Sequence, residues 1–167
     1  HKAFQGENDL LALWSEEWQK AGYDTKILTM EDARSHPYFE TMEAVVEPRF
    51  GLTFNALCFY RWLAMAQAGG GWMSDYDVFP TMDALDLAFS DEAQFMAADL
   101  YVPSLMKGTP DEWLRLCKLL VENINEPLGL QTDMYVFMHV LDNVSDHNVV
   151  MFDHVYRGFP YITEDKL

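Results

Sequence analysis

Cysteine is nearly missing from this chain. Cys58 and Cys117 are the only two, too few for a disulfide framework or a cysteine zinc site. Both sit in helical, apolar contexts and read as buried thiols. Basic side chains are scarce as well: 11 Lys and Arg stand against 27 Asp and Glu, a formal net charge of −16. The few cations are scattered, which argues against a nucleic-acid or anionic-membrane partner. An anionic ligand would need local positive charge, from a metal or a well-placed Arg. No apolar run approaches the roughly 18 residues of a membrane span, and His1 to Gly6 holds no signal-peptide core. These absences read as a chain of a reducing, cytoplasmic compartment. Its abrupt start also suits part of a longer polypeptide. Glycine and proline, at 9 and 7, are not in excess, while half of the 167 residues are apolar and 14% aromatic. One domain spanning 1–167, with a real core, is the simplest organisation.

Hydrophobic spacing and stop signals divide the chain. Asn8 to Ala21 predicts an amphipathic helix with Leu10, Trp14, Trp18 and Ala21 on one face, ended by Gly22. Tyr23 to Leu28 predicts a strand, Thr29 with Asp32 a capping box opening a short helix, and Pro37 the start of a further helix towards Val46. Thr53 caps a helix over Phe54 to Ala68, which Gly69, Gly70 and Gly71 end before a strand over Trp72 to Phe79. Short strands are expected at Gln94 to Ala98 and Ser104 to Lys107, then a helix from Pro110 to about Asn123. Thr132 to Leu141 predicts a helix and Asn148 to Phe152 a strand. The alternation implies an α/β layered fold with a mixed sheet.

The chemistry concentrates around the three glycines. Between Phe54 and Gly71 the only charged side chain is Arg61. On so apolar a helix a guanidinium is costly unless it meets a carboxylate, a phosphate or several carbonyls. Its planar fork suits phosphate recognition, and a structural ion pair with a nearby acid accounts for it equally well. Asp75 and Asp77, two apart on the expected strand, would point to one side of the sheet. Hard carboxylate oxygens suit Mg²⁺ or Mn²⁺, which take one or two carboxylates plus substrate phosphates.

Arg61, a glycine run eight residues on, and then Asp75-Tyr76-Asp77 together resemble the DXD sugar-transferase region of family-32-type glycosyltransferases and clostridial glucosylating toxins. The resemblance covers Phe54 to Pro80 and, more loosely, Trp14 to Phe39. It implies a GT-A-like (nucleotide-diphospho-sugar transferase) fold and a metal-dependent transfer from a nucleotide diphosphate sugar to an acceptor that could be glycan, lipid, protein or small molecule. It implies Asp77, with Asp75, as ligands of a Mn²⁺ or Mg²⁺ that bridges the diphosphate. Asp75 would also contact the sugar or ribose, Arg61 the nucleotide or donor sugar, and Gly70, Gly71, Trp72 and Tyr76 would complete the donor site. In that family an acid of the later half faces the acceptor or donor sugar, which nominates Asp133 as a further catalytic residue. The chain departs from the pattern at Cys58, where many relatives carry Asp, at Met73, where an aromatic is usual, and in its third glycine. The family's N-terminal strand is not evident before Asn8, so either Ala3 to Gly6 is its remnant or the domain is truncated, N-terminally reduced or altered in function.

Other signals are weaker. Thr132 or Asp133 also reads as an ordinary helix cap. Asp146-His147 and Asp153-His154 repeat a pair seven residues apart, and Asp153 or His154 would be placed to complete a metal shell in such folds. Trp14, Trp18 and Trp113 have the helical setting of core residues, although sugars stack on such rings. Two other functional classes stay open: a GT-A-like module that binds sugar nucleotide or protein without turnover, and a metal-dependent phosphohydrolase.

Overall fold

The computed structural model describes residues 5–80, 95–99, 102–126 and 132–151. Among these residues six helices and four strands follow one another as α1 (Gln5–Lys20), α2 (Met30–Arg34), α3 (Phe39–Phe50), α4 (Phe54–Gln67), β1 (Gly71–Ser74), β2 (Phe95–Ala97), β3 (Leu105–Gly108), α5 (Pro110–Glu122), α6 (Asp133–Asn143) and β4 (Val149–Met151). The sheet order is β1-β3-β2-β4. The β1–β3 and β3–β2 pairs are antiparallel and β2–β4 is parallel, so the fold is α/β with a small mixed sheet, as the alternation implies.

Local chemistry sets the helix ends. Thr29 and Asp32 close the expected capping box, the Asp32 carboxylate accepting from the Thr29 N–H at 2.8 Å and its hydroxyl at 3.0 Å. Thr109 accepts from the Glu112 N–H ahead of Pro110, and Asp111 and Glu112 occupy the positive end of α5. Gly22 takes φ 89° after α1, and Gly69, Gly70 and Gly71 take 98°, 73° and 102° after α4, a left-handed run that side chains with a Cβ adopt at a cost.

The sheet alternates, and both faces are covered. On one face Met73, Phe95, Ala97 and Met106 join the main core with α2 to α6. Its centre is Trp62 of α4, stacked on Phe95 at 5.9 Å and in contact with Trp113 and Phe137 at 5.5 and 5.3 Å. On the other face Trp72, Met96 and Leu105 meet Trp14 and Trp18 of α1. Burying one such aromatic ring contributes roughly 2–3 kcal/mol. Cys117 is buried and Cys58 half-buried. Burial pushes the Cys117 thiol up to about 12, and burial with the charge of Asp133 takes Cys58 to about 11. Both are therefore protonated at neutral pH.

Three expectations change. Residues 23–28 are irregular rather than a strand. A strand needs a ladder partner, and here side chains hold the segment instead: Ser15 and Gln19 of α1 meet Thr25, and Lys26 pairs with Asp32 at 2.9 Å. The strand expected to reach Phe79 stops at Ser74. The segment 3–6 is not a strand where it is described, since Gln5 and Gly6 already belong to α1; Ala3 lies outside the described residues, as do Asp153 and His154. No helix among the described residues is long and apolar enough to cross a membrane.

Candidate functional site

The site is built where α4, the glycine turn and β1 meet. β1 ends because the chain turns: Val78 N–H donates to the Asp75 carbonyl at 3.0 Å, with Tyr76 and Asp77 at the corner. Long-range bonds fix this turn. Asp75 N–H donates to the Ser104 carbonyl at 2.8 Å, Trp18 Nε1 to the Val78 carbonyl at 3.0 Å, and Trp14 Nε1 to Ser74 Oγ at 3.2 Å. The two tryptophans of α1 thus brace the turn as well as covering the sheet.

A turn does not alternate as a strand does, so Asp75 and Asp77 are placed differently. Asp77 and Tyr76 are exposed. Asp75 turns to α4, where its Oδ1 accepts from Arg61 Nη1 at 2.7 Å. The rest of the guanidinium is taken by Asp133, the first residue of α6, whose Oδ2 accepts from Arg61 Nε at 3.1 Å and Nη2 at 2.8 Å. Trp62 Nε1 donates to that same oxygen at 2.9 Å. Asp133 is 2% exposed, its Oδ1 accepts the Met134 N–H at 2.9 Å, and its position suits the positive end of a helix.

This arrangement sets the charges. Burial disfavours the Arg61 cation, but Asp133 and Asp75 more than offset it and its pKa is raised. Burial raises the Asp75 pKa too; Asp77 and Asp133 add to the rise and Arg61 opposes it. Asp75 therefore gives up its proton less readily than an ordinary carboxyl, with burial as the main cause.

Arg61 and Asp75 border a cleft with two adjoining lobes of about 210 and 300 Å³ that share Trp14, Lys26, Leu28, Met65, Trp72 and Ser74. Tyr76 lines the smaller lobe, and Gly70 and Gly71 the larger. The close approach at Gly70 is by the chain itself: a Cβ there would sit 2.7 Å from the Gly108 carbonyl oxygen and 2.8 Å from Pro110 N, whereas Gly71 has open space. Trp72 packs under Lys107, whose Nζ is 5.7 Å from the ring centroid.

The expected residues Arg61, Asp75, Trp72, Tyr76, Gly70 and Gly71 are thus brought together, with Asp77 on the outer corner and Asp133 behind Arg61. Trp113 is wholly core, Trp18 is nearly so while lining the larger lobe, and Trp14 lines both lobes. His147 accepts the Val149 N–H locally at 3.0 Å. Sequence reasoning missed Trp62 and Lys26. A Trp beside the lone Arg of an apolar helix, its N–H needing an acceptor, is the signal for the first; Lys26 carries none.

Among the described residues no group of three or more His, Cys, Asp or Glu could hold a metal ion alone. A cation completing its shell from ligand phosphates and water would have as carboxylates Asp75, 33% exposed at the cleft rim, and the exposed Asp77 two residues on.

No curated protein and no solved structure matches this chain. The family model of a domain of unknown function, DUF8765, matches residues 1–96, a stretch that includes Arg61, Asp75 and Asp77 but not Asp133, and the chain belongs to that family.

Proposed function

We propose that this protein is a metal-dependent glycosyltransferase of GT-A-like architecture that moves a sugar from a nucleotide diphosphate donor to an acceptor. One observation carries the reading: Arg61, anchored from behind by the buried Asp133, points Nη1 at Asp75 on the rim of an aromatic-lined cleft, one turn from Asp77. In a chain of net charge −16 this is where an anionic diphosphate can be met.

In the transfer, the bond from the anomeric carbon to the diphosphate oxygen breaks and its electron pair leaves with the diphosphate. A bond forms from the same carbon to the acceptor oxygen, whose proton passes to solvent. Arg61 binds and orients the phosphates, and Trp14 and Trp72 keep water from that end of the cleft. A Mg²⁺ or Mn²⁺ held by Asp75 and Asp77 would neutralise the departing charge.

A thermal-shift panel of UDP, GDP, CDP and their sugar conjugates, with and without Mn²⁺, tests this. One nucleotide should stabilise the protein only with metal, by an amount that grows with ligand excess over its Kd. The response should vanish in the Asp75→Asn, Asp77→Asn double variant with its circular dichroism unchanged. A well-folded sample that shifts with none of them overturns the proposal. A second reading is favoured by the ion pairs themselves, since an Arg with two carboxylates is what a structural network looks like. A non-catalytic module of that kind would bind donor without hydrolysis or transfer.

A further inference from the structure

Arg61 is held unevenly by its two acids. Towards Asp133 it commits Nε and Nη2 to one oxygen, which also takes the Trp62 indole N–H. That carboxylate is 2% exposed, so breaking this side would strand a buried charge away from water. Towards Asp75 it commits Nη1 alone, at 2.7 Å, to a carboxylate 33% exposed at the cleft rim. Water or a ligand oxygen can take that place with little loss of solvation. One side is fixed and the other exchangeable.

We infer that Asp133, with Trp62, is a positioning residue that keeps Arg61 aimed at the cleft, and that Asp75 is its exchangeable partner: Nη1 passes from Asp75 to a ligand phosphate oxygen when Asp75 turns to a divalent cation. The inference deepens the sugar-nucleotide reading and rests on it. Without metal, Asp75 competes with phosphate for Nη1. With metal, that competition ends and the phosphate takes over the arm Asp75 gave up. Cation and diphosphate therefore bind cooperatively through a single guanidinium, each raising the affinity for the other.

The test is calorimetric titration with inorganic pyrophosphate, metal-free and as its Mn²⁺ complex. Asp75→Asn should bind metal-free pyrophosphate about three- to tenfold more tightly than the parent, because a neutral carboxamide oxygen contests Nη1 far more weakly than a carboxylate. Asp77→Asn removes the same charge without freeing Nη1 and should show less than half that gain. An equal gain in both variants, or none in Asp75→Asn, overturns the exchange. If the parent nonetheless binds the Mn²⁺ complex, the sugar-nucleotide reading survives that failure; if it binds neither form, both fall. The anchor has its own readout in ¹H–¹⁵N spectra. The Arg61 Nε–H signal, identified by its loss in Arg61→Lys, should be sharp in the parent, remain so in Asp75→Asn, and broaden in Asp133→Asn. Broadening in Asp75→Asn would overturn the role given to Asp133. Should Asp133→Asn not fold, the Asp75 and Asp77 variants decide alone.

Discussion

Asp32 shows how a single side chain couples local structure to pH. The Lys26 ammonium and the Thr29 N–H hold its carboxyl down at about 2, against an ordinary value of 3.8. A carboxyl that binds its proton less readily in the folded than in the unfolded chain stabilises the fold above the unfolded value. It loses that contribution as pH falls through the folded one. Asp32→Ala should therefore melt below the parent at pH 7, with the gap narrowing below 3.8 and closing near 2. Melting curves followed by circular dichroism across this range read it, and a gap that ignores pH would remove the charge of Asp32 as its cause. This pairing is partly legible: Thr29 and Asp32 announce the capping box by their spacing, whereas Lys26 falls in a run that reads as a strand. Arg61 was legible as a charge that needed a partner, and its partners were not. Asp75 lies 14 residues away across one turn, but Asp133 lies 72 away, beyond the reach of any local pattern.

At the scale of elements, the α4–glycine–β1 unit carries the candidate site, and its last two glycines are not equivalent. Gly70 combines φ 73° with a Cβ position 2.7 Å from the Gly108 carbonyl oxygen and 2.9 Å from Pro110 Cδ, while Gly71 at φ 102° faces open space. Gly70→Ala adds a backbone clash to conformational strain and should cost about 3–5 kcal/mol, against about 1–2 for Gly71→Ala. Urea unfolding of the two variants compares them, and equal losses would show that the turn can shift away from Gly108 and Pro110. The elements were legible from periodicity and stops: all six helices lie within a few residues of their expected bounds, because caps, glycines and apolar spacing act over one or two turns. Two strand expectations failed for a shared reason. Whether an extended segment is a strand depends on what lies beside it, and tertiary bonds decided that. Trp18 holds the Val78 carbonyl where residues 75–78 turn, just past the last ladder-type bond from Asp75 to Ser104, and Ser15 and Gln19 hold residues 23–28 away from any ladder.

For the whole molecule, charge dominates. A net −16 on 167 residues makes the folded state repel itself, and salt screens that repulsion within a Debye length of about 10 Å at 0.1 M. The melting temperature should rise by about 2–5 °C between low salt and 0.15 M NaCl. Calorimetry at both ionic strengths measures it, and a fall instead would mean that attractive ion pairs such as Lys26–Asp32 and Arg115–Glu112 outweigh the net charge. On the proposed reading, Arg61 and Lys26, the cations that line the cleft, are where an anionic donor is met, so composition and site bear on one another.

By itself the sequence determined the helices, the left-handed stop after α4, the mixed α/β character, and the gathering of a lone Arg and an acidic pair around one glycine turn. These follow from backbone preference and side-chain spacing, which act between neighbours along the chain. The tertiary structure alone decided that Asp75 faces Arg61 while Asp77 faces water, that Gly70 admits the chain's own backbone, and that Asp133 and Trp62 stand behind the guanidinium. Those outcomes depend on α6 packing beside α4 and on α1 bracing the turn. Contacts between distant elements are set by how buried surfaces fit and how buried polar groups find partners, and no local run of residues encodes them.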